Sequence, residues 1–180
     1  AGAGFFIGLA ILTKGPVAVF FPVLVSLLFF WYQGALRHCL KAMLSPLGWL
    51  IFLLVAGPWY LAIYLDDGPG FFASFFLKHN AGRFSDAIHS HGGFFGYYVV
   101  MLPLILLPFT GWFLRLLPAW RAAWADPLDR FLWTWFLVVF VFFSLSGTKL
   151  PHYLLYGCTP LFILMARHRG LLTGRWLAFV

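Results

Sequence analysis

Lysines interrupt the apolar runs of this 180-residue chain twice in the same pattern, as Thr13-Lys14-Gly15-Pro16 and as Thr148-Lys149-Leu150-Pro151. A lysine at the centre of a membrane helix costs ~2.5–3.5 kcal/mol on insertion scales, so such a residue has a partner or a task. Proline lacks an N–H and resists helix interiors, so each motif ends one segment or begins the next. Between the two motifs lies the stretch richest in chemistry. It reads Phe75-Phe76-Leu77-Lys78-His79-Asn80-Ala81-Gly82-Arg83-Phe84, then Asp86, His89 and His91, then a Gly- and Phe-rich run into Tyr97-Tyr98. The chain has no glutamate, and Asn80 is its one asparagine, so this concentration of polar groups stands out. A solvated loop needs polar residues anyway, and His89 and His91 fit that reading as well as a functional one. Arg83, set between aromatic runs, fits it less well.

Lys14, Arg83 and Lys149, gathered on one face of a membrane, would form a cationic pocket at the lipid boundary. Arginine offers a planar fork to phosphate oxygens and lysine a point charge. At an effective dielectric of ~20, one lysine–phosphate contact near 4 Å is worth about 4 kcal/mol before desolvation. Two or three such contacts would hold an anionic lipid headgroup and stabilise a departing phosphate. The competing reading is that each lysine snorkels to the interface and meets any phospholipid. Spacing alone leaves both open.

The elements that position these residues are membrane helices. Hydrophobic residues make up 63% of the chain, charged residues 9%, and mean hydropathy is +0.92, whereas soluble domains carry roughly 25% charged residues. An open sheet cannot satisfy its backbone in lipid, so the expected fold is an all-α, polytopic transmembrane bundle. Hydropathy predicts a truncated span ending near residue 12, complete spans at 16–32, 46–65, 95–117, 131–147 and 151–166, and a truncated start from 171. That makes about five complete and two truncated spans of the length a bilayer requires. Pro58, Pro103, Pro108 and Pro160 fall inside spans and are expected to kink them. Trp31, Tyr32, Trp59, Tyr60, Tyr97, Tyr98, Trp120, Trp124, Trp133, Trp135 and Tyr153 read as an aromatic belt.

Alternate connections carry unequal charge. Arg37, Lys41, Arg115, Arg121, Arg130, Arg167, Arg169 and Arg175 fall on one side, and Lys14, Lys78, Arg83 and Lys149 on the other. The positive-inside rule assigns the larger set to the cytoplasm. Both lysine motifs and the long loop at 66–94 are then extracytoplasmic. The net charge of +7 does not indicate nucleic acid, because the cations stand singly between apolar runs rather than on one soluble face. Cys39 and Cys158 have neither metal-ligand spacing nor a disulfide framework, and read as apolar fillers. Both ends of the chain lie in apolar runs, without an initiator Met or a signal peptide. Residues 1–180 are therefore expected to be an internal fragment of one integral-membrane domain, with no soluble domain.

The order of motifs resembles a known family. L-T-K-G-P at 12–16, F-F-x-x-H-N-x-x-R-F at 75–84, a histidine shortly after, Tyr97-Tyr98, and S-x-S-G-T-K-L-P-H-Y at 144–153 resemble the bacterial lipid-carrier-dependent glycosyltransferases. These are GT-C-class membrane enzymes, grouped with protein O-mannosyltransferases and the lipid A aminoarabinose transferase. The resemblance implies transfer of a sugar from a polyprenyl-phosphate carrier to an extracytoplasmic acceptor, with inversion at the anomeric carbon, in the bacterial inner membrane. It implies that Lys14, Arg83 and Lys149 bind the donor phosphate and that His79, Asn80, His152 and Tyr153 orient the substrate. The family's catalytic aspartate belongs to an earlier extracytoplasmic loop, so Asp66, Asp67 and Asp86 are not assigned that role, and the fragment alone is expected to be inactive. The lipid A enzymes resemble E-H-x-x-R-F where this chain has His79-Asn80-Ala81-Gly82-Arg83-Phe84. An amide oxygen is a poor zinc ligand, so a divalent metal is the less favoured reading and no cofactor follows. The rival function is a transporter or flippase of the same anionic lipid-linked substrate. The long one-sided polar loop, and the lack of a charge near the middle of any span, count against it.

Overall fold

The computed structural model describes residues 2–73, 94 and 96–171. Every regular element among them is helical, and the chain divides into two compact units, Ala1–Asp86 and Ala87–Val180.

The first unit contains α1 (Gly2–Lys14), α2 (Val17–Tyr32), α3 (Leu36–Met43), α4 (Pro46–Asp67) and the single turn α5 (Gly70–Ala73). Two residues separate α1 from α2. Gly15 takes φ +65°, a left-handed conformation that a side chain would strain, and Pro16 then presets φ for the next helix. Gly34, at φ +68°, ends α2 in a Schellman turn, with the Ala35 amide bonded to the Phe30 carbonyl. Helix α3 is too short to cross a bilayer. Its Cys39 packs inward while Arg37, His38 and Lys41 are exposed.

Helices α1 and α4 run parallel, in contact at Gly4 with Gly48, at Gly8 with Val55, and at Ile11 with Tyr60, whose hydroxyl donates to the Ile11 carbonyl at 3.3 Å. A Cβ on Gly4 would lie 2.2 Å from the Gly48 carbonyl oxygen, and one on Gly8 2.9 Å from Val55 Cβ. Small residues four apart let membrane helices approach this closely, and close van der Waals packing replaces the hydrophobic drive that lipid does not supply. Ser45 caps α4 through its hydroxyl, with Pro46 in the first helical position.

The second unit contains α6 (Tyr97–Ile105), α7 (Thr110–Leu116), a 3-10 turn at Leu117–Ala119, the short α8 (Trp120–Ala123), α9 (Pro127–Leu145), a 3-10 turn at Pro151–Leu154, α10 (Leu155–Arg167) and a last 3-10 turn at Arg169–Leu171. Its core is apolar, with Leu106, Leu116, Val139, Leu161 and Leu164 fully buried. Helices α9 and α10 pack antiparallel. Gly157 admits Val139 and Phe136 so closely that a Cβ there would lie 3.3 Å from Val139 Cβ. At one end of the pair the Asp129 carboxylate, 2% exposed, receives Arg167 Nε, and His168 Nε2 lies 2.7 Å from it.

Among the described residues, α4 and α9 are long and apolar enough to cross a membrane, and α6 with α7 makes a third span if counted together. In that pair the kink expected within 95–117 falls at Pro108 and is a full break, the halves turning through 119°. Pro108 has no N–H to offer the Leu104 carbonyl, which accepts from the Leu107 amide at 3.3 Å, and the hydroxyl of Thr110 donates to the Pro103 carbonyl. Pro58, Pro103 and Pro160 lie inside helices that the structure leaves unbroken. The aromatic belt is also narrower than expected. Trp31, Tyr32 and Trp59 are exposed, but Trp133 and Tyr98 are core residues, and Trp135 donates to the Tyr156 carbonyl at 3.0 Å.

Candidate functional site

Helix α9 ends at Leu145, and the chain runs extended from Ser146 to Leu150 before Pro151 starts the next turn. This segment is built from small polar residues, and Ser144, Ser146, Thr148 and Lys149 are all buried. The last carbonyls of a helix have no amide to accept. Lys149 folds back to meet them, with Nζ 3.0 Å from the Ser144 oxygen and 2.7 Å from the Ser146 oxygen. Lys149 is 8% exposed, and no carboxylate among the described residues pairs with it. Carbonyl dipoles at a helix C-terminus favour a cation there. They use two of its three donors and cancel none of its charge. The Ser144 hydroxyl is buried and has no hydrogen-bond partner among the described residues.

The rest of the motif is ordered around this lysine. The Leu150 carbonyl accepts from the Tyr153 amide at 3.1 Å, closing the 3-10 turn. The Tyr153 ring stacks on Phe143 at 4.7 Å, and the exposed His152 meets Tyr153 edge-on at 4.8 Å. Lys149, His152 and Tyr153 thus lie within one short segment after the end of α9.

Lys14 belongs to the first unit. It is exposed at the C-terminus of α1, beside Thr13, whose hydroxyl donates to the Ala10 carbonyl at 2.9 Å. His79, Asn80 and Arg83 lie outside the described residues. The donor set of the His79-Asn80 pair, one imidazole and one amide, does not fit zinc.

Two motif features carry contacts that the sequence alone does not give. Ser144-Leu145-Ser146 supplies the carbonyls that hold Lys149, and two small polar residues closing a long apolar helix were the available signal. Tyr98 was read as a belt residue, yet its hydroxyl donates to the Leu150 carbonyl at 3.0 Å and accepts from the Leu150 amide at 3.1 Å. Nothing in its local sequence distinguishes it from Tyr97.

No family model matches the chain. It is 36% identical over 166 residues to undecaprenyl phosphate-alpha-4-amino-4-deoxy-L-arabinose arabinosyl transferase 2 of Proteus mirabilis, covering 89% of this chain and 29% of that protein. The corresponding transferase of Pseudomonas paraeruginosa is 38% identical over 164 residues, covering 88% and 28%. Among solved structures, ArnT from Cupriavidus metallidurans bound to undecaprenyl phosphate superposes with a TM-score of 0.80 at 26% identity, over 97% of this chain and 31% of that one. The apo form of the same protein gives 0.75, over 94% and 30%. The chain spans less than a third of the length of these relatives. In sequence and in its GT-C membrane fold, this chain is homologous to one segment of the bacterial undecaprenyl phosphate–aminoarabinose arabinosyl transferases.

Proposed function

We propose that this chain is part of a membrane glycosyltransferase of the bacterial inner membrane. It takes a sugar from a polyprenyl-phosphate carrier and passes it to an extracytoplasmic acceptor. The observation that carries the reading is Lys149, a buried ammonium held by carbonyl oxygens with no described carboxylate to neutralise it. Such a charge draws an anion strongly, because the surrounding dielectric is low and the position is already fixed. The names of the relatives support undecaprenyl phosphate as the carrier and 4-amino-4-deoxy-L-arabinose as the sugar. The acceptor is a hydroxyl or phosphate on lipid A, on another glycan or lipid, or on protein.

In the step itself, an acceptor oxygen attacks the anomeric carbon while the bond from that carbon to the phosphate oxygen breaks. The bonding pair leaves with the phosphate, so negative charge grows there, and a carboxylate base takes the acceptor's proton. Lys149, with Lys14 and Arg83, interacts more strongly with the departing phosphate than with the intact donor, and this difference lowers the barrier. His79, Asn80, His152 and Tyr153 orient the phosphate or sugar.

The test uses the full-length protein and a labelled polyprenyl-phosphate sugar. Release of carrier phosphate together with a glycosylated acceptor is expected from an enzyme. Movement of intact donor across the membrane without release would make it a transporter. Lys149→Ala and Arg83→Ala are each expected to abolish transfer while the protein persists in the membrane. Near-normal transfer by both would remove the phosphate-site assignment.

A further inference from the structure

Tyr98 stands in the first turn of α6, fully buried, and reaches across 52 residues of sequence to a single residue's backbone. Its hydroxyl both donates to the carbonyl and accepts from the amide of Leu150, at 3.0 and 3.1 Å. Leu150 follows Lys149, is extended (φ −127°, ψ 136°), and precedes a proline that has no N–H. Outside a helix, a half-buried amide depends on whatever partner the fold supplies. Here the partner is the hydroxyl of a ring locked in the core, and it holds both polar groups of Leu150.

We propose that Tyr98 is a positioning residue for Lys149. By holding Leu150 it fixes the peptide from which the lysine side chain springs. The ammonium, already bonded to the Ser144 and Ser146 carbonyls, then presents its remaining N–H to an oxygen of the carrier phosphate. The proposal rests on the phosphate-binding reading above and extends it to a residue that never meets the ligand. The Tyr98 hydroxyl acts through geometry, and displacement of a fixed charge by about 1 Å is enough to cost roughly a hundredfold where alignment matters.

The experiment measures binding of undecaprenyl phosphate to the purified full-length protein in nanodiscs. The proteins compared are wild type, Tyr98→Phe, Lys149→Ala, the double variant, and Tyr97→Phe as a control. Amide exchange at Leu150 is followed in the same samples. Tyr98→Phe keeps the buried ring and removes only the hydroxyl. It is expected to speed Leu150 exchange and to weaken binding roughly tenfold. In the Lys149→Ala background it is expected to cause no further loss, because its effect runs through the lysine. Tyr97→Phe is expected to bind as wild type does. Unchanged binding in Tyr98→Phe, a full additional loss in the double variant, or an equal loss in Tyr97→Phe overturns the positioning role. Unchanged binding in Lys149→Ala overturns the phosphate reading itself, and the positioning role with it. Loss in Lys149→Ala without loss in Tyr98→Phe overturns the positioning role alone.

Discussion

Helix α9 carries charge at both of its ends and settles it in opposite ways. Where it begins, two carboxylates meet a guanidinium and an imidazole. Arg167 lies 3.2 Å from Asp126 and also bonds Asp129, and His168 lies 2.7 Å from Asp129. The buried Asp129 therefore has cationic neighbours among the groups that bond it. Where α9 ends, Lys149 is buried against two carbonyl oxygens. Those dipoles replace part of the hydration it has lost, but the unit charge remains. A buried acid bonded to a guanidinium and an imidazole is a structural clasp. A lysine held by neutral oxygens is still a cation in search of an anion. The two ends thus separate a charge matched by an opposite charge from one met only by dipoles.

The sharpest way to break this contrast is to remove the lysine. Lys149→Ala in the full-length protein is expected to lower sugar transfer by ~10²–10³-fold, the usual effect of deleting one fixed charge-stabilising donor. The variant should still extract from membranes as a folded species. Asp129→Asn is expected to do the reverse. It leaves the Arg167 and His168 side chains without their buried carboxylate, so the unfolding temperature should drop, while transfer per folded molecule stays within about twofold of wild type because the site lies at the far end of the helix. Comparable loss of transfer in Asp129→Asn would erase the distinction between the two ends.

The smallest expected effect is a pH dependence at the clasp. The Asp129 amide bonded to Asp126 holds that carboxyl below the ordinary carboxylate range. The Leu128 amide and nearby Arg167 and His168 add to this, and partial desolvation opposes it. A lowered folded-state value means the stabilisation is fully present above the unfolded value of about 3.9 and is lost as the pH falls through the lower folded one. Unfolding temperatures of wild type and Asp126→Asn should therefore run parallel from pH 7 to about 5 and converge only below about 4. Convergence at neutral pH would mean that Asp126 contributes nothing as an anion.

Hydropathy made the helical architecture legible, and Ser45-Pro46 marked the start of α4 where the structure has it. It placed the start of α9 four residues late, at 131 rather than Pro127. Asp129 and Arg130 look out of place in a membrane helix, and the groups that make Asp129 tolerable, Arg167 and His168, lie nearly forty residues away. The two lysine motifs show the same limit. Thr13-Lys14-Gly15-Pro16 and Thr148-Lys149-Leu150-Pro151 differ in type only at the third residue. Gly15 permits a left-handed turn that leaves Lys14 exposed at a helix end. Leu150 resists that conformation, stays extended, and carries Lys149 into the interior. The glycines of α1 were readable as a close-packing stripe, since Gly4 and Gly8 have the four-residue spacing. What α1 would pack against was not, because Gly48 and Val55 belong to a helix that begins thirty residues later.

The corner at Gly15 has a mechanical consequence. A connection of two residues, one of them a proline, stores no slack, so α1 and α2 meet at a stiff elbow rather than a hinge. Lys14 rides on that elbow. Its backbone moves only if both helices travel with it, and α1 is held close against α4 at Gly4 and Gly8. The corner is thus a fixed point of the first unit, set by the packing of α1 on α4.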